Sequence, residues 1–129
     1  MGDMSAFVTE FVEEGNHNAD QLEQHLIQLE KSPNSRELLA DAFRALHTIK
    51  GATSFLGLTK LCALAHAGES LMACLRDGAL AATQEIISAL LSLVDAIRAV
   101  LSEIAATGEE GNGDYSVLVH TLTQLQKSA

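Results

Sequence analysis

Apolar residues recur every three or four positions through most of this chain, and the breaks in that rhythm divide it into five helical stretches. The first, about Met4 to Lys31, sets Phe7, Phe11, Leu22, Leu26 and Leu29 on one stripe. The same interval runs on through the weaker GNHN at 15–18, which predicts one long helix rather than two. The run SPNS at 32–35 ends it, because Pro33 has no backbone N–H to donate and Asn34 or Ser35 can cap the next helix. A second helix is expected over 35–54, followed by a turn across Phe55 to Leu58 that contains Gly57. The stretch LTKLCALAHAGESLMACLRDG makes a third over 58–77 and stops at Gly78, a usual place for a left-handed residue beyond a helix end. A fourth covers 83–107, the polar GEEGNGD at 108–114 is a loop, and a shorter fifth covers 114–128. Short connections between long amphipathic helices favour antiparallel neighbours. The expected fold class is therefore all-α: an antiparallel up-and-down four-helix bundle with an additional C-terminal helix.

Composition narrows this further. In 129 residues, 47% hydrophobic and only 4% aromatic, there is apolar surface for one core, so residues 1–129 read as one domain. A net charge of −9 with no local basic patch argues against nucleic acid and anionic membranes as partners. No apolar run approaches the roughly 20 residues that cross a bilayer, and MGDMSAFVTE lacks the basic region and apolar core of a secretion leader. No membrane insertion and a cytoplasmic location are expected. Cys62 and Cys74 fall on one helix, about 18 Å apart at the helical rise, too far for a disulfide.

The second helix holds the candidate chemistry. On a wheel of about 100° per residue, Leu38, Ala42, Ala45, Ile49 and Ala52 gather on one side with Leu46 at the margin, while His47, Lys50, Gly51 and Ser54 gather on the other. The third helix repeats the arrangement: Leu61, Leu64, Gly68, Leu71, Met72 and Leu75 form an apolar stripe, and His66 and Glu69 lie opposite. In a hairpin about Gly57, His47 stands ten residues before the turn and Glu69 twelve after, an offset of about half a turn. Glu69 can then reach His47, and Gly68 lets the two helices approach. A carboxylate on one imidazole nitrogen fixes the tautomer and leaves a lone pair on the other, which makes a nucleophile. Lys50 adds positive charge where a transferred phosphoryl group gathers negative charge, and Gly51 leaves room for a partner's active site. A metal site built from His47, His66 and Glu69 is conceivable in geometry, but Lys50 would repel the ion, so no metal is expected. His17, His25 and His120 read as surface residues, Asp114 and its acidic loop as solvated, and Met72 as core filling.

FRALHTIKG, followed by FLGL and LAHAGESLMACLRDG, resembles the histidine phosphotransfer domain at the N-terminus of chemotaxis histidine kinases of the CheA family, and the similarity runs along nearly the whole chain. The H-x-x-E pair at that distance downstream makes the combined pattern far more specific than H-x-x-K-G alone. The resemblance implies that His47 accepts a phosphoryl group, with Lys50, His66 and Glu69 around it and Gly51, Ser54 and Arg44 facing partners. One departure is Ala52-Thr53, where the family often carries a further pair of small residues, and this bears on partner preference. The resemblance also implies two partners, the ATP-binding domain of a kinase and the receiver domain of a response regulator. No cofactor is expected in this domain, since ATP and Mg²⁺ come with those partners and no phosphate-binding glycine loop occurs here. The isolated domain is expected to be a monomer that is not catalytic on its own and belongs to a larger kinase. The alternatives are a stand-alone or hybrid-kinase phosphotransfer protein, or a helical adaptor that is never phosphorylated.

Overall fold

A computed structural model describes the backbone of residues 2–128 and the side chains of residues 6–128, so the start of MGDMSAFVTE lies outside the described side chains. It is an antiparallel up-and-down bundle of α1 (Gly2–Lys31), α2 (Arg36–Leu56), α3 (Thr59–Arg76) and α4 (Gln84–Thr107), with a fifth helix, α5 (Ser116–Gln126), laid against α3 and α4. Each long helix packs on its neighbours in the chain, and α4 closes the ring against α1.

Local chemistry explains the breaks. The hydroxyl of Ser35 accepts from Leu38 N–H at 3.3 Å, so Ser35 rather than Asn34 caps α2. At the far end α2 runs on to Leu56, past the expected stop near Ser54, because Gly57 at φ +71° closes it with an N–H bond to the Thr53 carbonyl. Thr83 caps α4 through a 3.3 Å bond from Ile86 N–H. No side chain of its own caps α3, and the loop supplies one instead: Glu110 accepts from Lys60 N–H at 3.2 Å and Leu61 N–H at 2.7 Å, while Lys60 Nζ donates to the Gly111 carbonyl at 2.6 Å. The acidic loop, expected to be merely solvated, thus pins the start of α3. Exposed Asp114 accepts from Ser116 N–H at 3.0 Å at the start of α5, which holds its carboxyl below the usual carboxylate range.

The core runs through all five helices, with Leu22, Leu26, Leu29, Leu46, Leu61, Leu64, Leu71, Met72, Leu90 and Leu93 fully buried. Two expectations about facing change. Leu46 is central rather than marginal, because α2 is wedged between α1 and α3 and buries a wider face than one stripe, whereas Ala52 is exposed at the open end of the bundle beside Phe7 and Phe55. Phe7 is 58% exposed, since it sits at the open end of the bundle beside Phe55 and Ala52 instead of under a covering helix. His25 also departs from the surface reading, as it is half-buried with Nδ1 withdrawn from solvent and without a hydrogen-bond partner among the described residues.

Candidate functional site

The hairpin of α2 and α3 brings two polar faces together. Gly68 keeps α3 close to both of its neighbours: a Cβ there would fall 2.3 Å from Leu93 Cδ2 of α4 and 3.2 Å from Leu46 Cδ1 of α2. One residue along α3, Glu69 meets α2 with both carboxylate oxygens. Its Oε2 lies 2.6 Å from His47 Nδ1 and its Oε1 accepts from Lys50 Nζ at 2.7 Å. A carboxylate has no proton to give, so Nδ1 carries the hydrogen and donates it. The in-plane lone pair then belongs to Nε2, on an imidazole that is 64% exposed.

Glu69 is only 9% exposed, although the wheel set it opposite the apolar stripe, because α2 covers it. Burial by itself pushes its pKa up, yet the hydrogen bonds from Lys50 and His47 outweigh that and hold the carboxyl below its usual value. Glu69 is therefore an ionised acceptor with both oxygens engaged. The ammonium of Lys50 is committed to it, with the side chain 27% exposed.

The other sequence candidates sit around this centre. Gly51 is open, and a Cβ there would meet nothing within 4 Å. Arg44 is exposed one turn before His47 and pairs with Asp41 at 2.9 Å on its own helix. Ser54 donates to the Lys50 carbonyl at 3.2 Å and lies 3.7 Å from Cys62 Sγ. His66 is exposed and is not brought into the His47, Glu69 and Lys50 cluster. Among the described residues, no group of three His, Cys, Asp or Glu is arranged to hold a metal ion. Two residues that the helical wheel did not single out also touch the centre. Phe43 stacks on the His47 ring, and Arg76 of α3 sits over Phe43. The four-residue spacing from Phe43 to His47 is a readable signal, whereas nothing in the sequence joins Arg76 to either.

The chain is similar to known proteins over most of its length. The Hpt domain family model matches residues 6–100, which include every residue of the cluster. The sensor histidine kinase CheAY of Helicobacter pylori is 34% identical over 127 residues, covering 98% of this chain and 16% of that protein. The solution structure of the histidine phosphotransfer domain of CheA superposes with a TM-score of 0.85 at 28% identity, covering 94% of this chain and 92% of that one. The phosphorylated P1 domain of CheA3 from R. sphaeroides, solved in complex with CheY6, gives 0.82 at 29% identity, covering 96% and 94%. The chain spans only 16% of the length of curated CheA relatives from Helicobacter pylori and Halobacterium salinarum. With the family model enclosing the whole polar cluster and the likeness to CheA phosphotransfer domains extending over nearly all of the bundle, this chain belongs to the Hpt domain family.

Proposed function

We propose that residues 1–129 form one phosphocarrier domain in which His47 takes a phosphoryl group from the ATP-binding domain of a kinase and passes it to an aspartate of a response regulator. The observation that carries this reading is an exposed imidazole whose Nδ1–H is bound at 2.6 Å by a buried, ionised Glu69. The Nε2 lone pair attacks the terminal phosphorus of ATP. The N–P bond forms as the bond to the bridging oxygen breaks, and ADP departs with that electron pair. Both ring nitrogens are then substituted and the ring is formally cationic, a charge the Glu69 carboxylate stabilises through Nδ1–H. In the return step a receiver carboxylate attacks phosphorus, the N–P bond breaks and the pair returns to Nε2, so the ring exchanges no proton with solvent.

Lys50 keeps Glu69 ionised, and its remaining N–H groups are available to phosphoryl oxygens. Gly51, Arg44 and Ser54 face partners beside His47, with Gly51 giving the clearance that two approaching active sites need, and exposed His66, three residues before Glu69 on α3, flanks the cluster. ATP and Mg²⁺ are held by the kinase and receiver domains. No helix among the described residues is long and apolar enough to cross a membrane. Free Cys62 and Cys74 suit a reducing cytoplasm, and the isolated domain is a monomer in this reading.

The test is incubation with a kinase core and radiolabelled ATP, followed by acid and base treatment of the label. An acid-labile, base-stable label that vanishes in a folded His47→Gln protein is expected. Full labelling of that variant, or a label that moves to His66, would sink the assignment, and no label on the parent chain would favour a helical adaptor.

A further inference from the structure

Phe43 lies one helical turn before His47, and the two rings are nearly parallel, 12° apart in plane with centroids separated by 6.0 Å. That offset stacking lies within the range where aromatic rings attract. Phe43 cannot simply follow the imidazole, because it is half-buried and packed against the core. The guanidinium of Arg76, from the facing helix α3, sits 4.2 Å from its centroid, a cation–π contact that ties the ring to a second element. Arg76 is itself bonded to Asp77 at 3.0 Å.

The bond to Glu69 does not fix the imidazole alone. A single hydrogen bond at Nδ1 restrains one ring atom, and the ring can still rock through coupled changes in χ1 and χ2 that move Nε2. The offset ring of Phe43 restricts that motion from one side. We propose that Phe43, anchored by Arg76, is a positioning residue that holds the plane of the His47 imidazole so that the Nε2 lone pair points at the incoming phosphorus. This rests on the phosphoacceptor reading of His47. The arrangement also suits the product, since an imidazole that has gained an N–P bond is electron-poor and is favoured by the π face beside it.

A small donor separates ring positioning from partner docking. Phosphoramidate, whose nitrogen is protonated in its reactive zwitterion, transfers its phosphoryl group to imidazole as its P–N bond breaks and ammonia leaves with the bonding pair. The 129-residue chain and its variants should be treated with phosphoramidate and followed by intact mass, while three-bond couplings report the χ1 and χ2 rotamers of His47. Phe43→Leu, which keeps apolar packing without a ring, should slow modification about ten-fold, less than the roughly hundred-fold loss that a 1 Å misplacement of a reacting atom can bring, and should spread the rotamers of His47. Phe43→Tyr should restore both readouts. Arg76→Met should move both in the direction of Phe43→Leu, and Arg76→Lys, which keeps the cation, should move them less. A Phe43→Leu protein that reacts at the parental rate would overturn the inference. So would one that reacts slowly with an unchanged rotamer distribution, because the rate would then be lost by another route. Equal modification of His47→Gln would instead remove the phosphoacceptor reading, and this inference with it.

Discussion

The least replaceable residue beside His47 is Glu69, because a buried carboxylate with one partner on each oxygen sets both the tautomer of the imidazole and the local charge balance. Glu69→Gln should redistribute the hydrogen between the ring nitrogens, visible in ¹⁵N shifts of the His47 ring, and should slow phosphorylation about ten-fold or more. Parental shifts and rate in that variant would show the contact to be incidental. Acid unfolding provides an independent check. The folded-state pKa of Glu69 lies below 4.5, so as pH falls through 4.5 the unfolded chain takes up a proton that the folded chain refuses. Stability from this group is thus complete above 4.5 and declines as pH drops toward the folded value. Urea unfolding between neutral and acid pH should show a shallower decline in Glu69→Gln than in the parent.

At the scale of helices, three positions bear on how the hairpin presents the site. Gly68 and Gly51 contrast. Gly68→Ala drives a Cβ to 2.3 Å from Leu93 Cδ2 in a full core, and overpacking of this kind costs about 1–3 kcal/mol. The added Cβ also presses on Leu46 of α2 at 3.2 Å, which should lengthen the bond between His47 and Glu69 and slow labelling. Gly51→Ala meets no neighbour within 4 Å. It should stabilise the protein by about 0.5–1 kcal/mol through helix propensity alone, while a bulkier Gly51→Gln should slow transfer to partners without lowering the melting temperature. The melting temperatures of Gly68→Ala and Gly51→Ala should therefore move in opposite directions. Glu110 is the third position: Glu110→Ala leaves the first N–H groups of α3 without their acceptor and should cost about 1–2 kcal/mol in chemical denaturation. An unchanged midpoint would mean that water replaces the carboxylate at no cost.

For the molecule as a whole, the bundle is a rigid mount for one exposed ring. The long helices are also tied at their edges, outside the core, for Arg98 of α4 bonds Asp20 at 2.6 Å and Glu23 at 2.9 Å on α1, which raises the guanidinium pKa further above its usual value. The net charge of −9 leaves no broad cationic surface for nucleotide phosphates. Purified chain with Mg·ATP should therefore stay unlabelled. A separately made kinase domain should label it in trans, slowly, since an untethered kinase lacks the effective concentration of a linked one. A receiver domain with Mg²⁺ should then remove the label. Robust self-labelling after contaminating kinases are removed would replace the carrier reading with that of an enzyme.

The sequence alone determined what depends on neighbours along one helix. The 3.6-residue rhythm, Pro33, Ser35 and Gly57 set the helices and their turns, because propensity, capping and left-handed backbone are local properties. The pairing of His47 with Glu69 was also legible, since a short turn fixes the register of two adjacent antiparallel helices and so the heights of their polar faces. Tertiary structure decided what depends on which faces end up covered. It buried Leu46 and Glu69, left Phe7 exposed at the open end, kept His66 apart from the cluster and turned Lys50 onto Glu69. It also brought Glu110 to the start of α3 and Arg76 over Phe43. These contacts join residues tens of positions apart through side chains whose reach and rotamers are chosen by packing against every neighbouring element, and a one-dimensional pattern does not contain that packing.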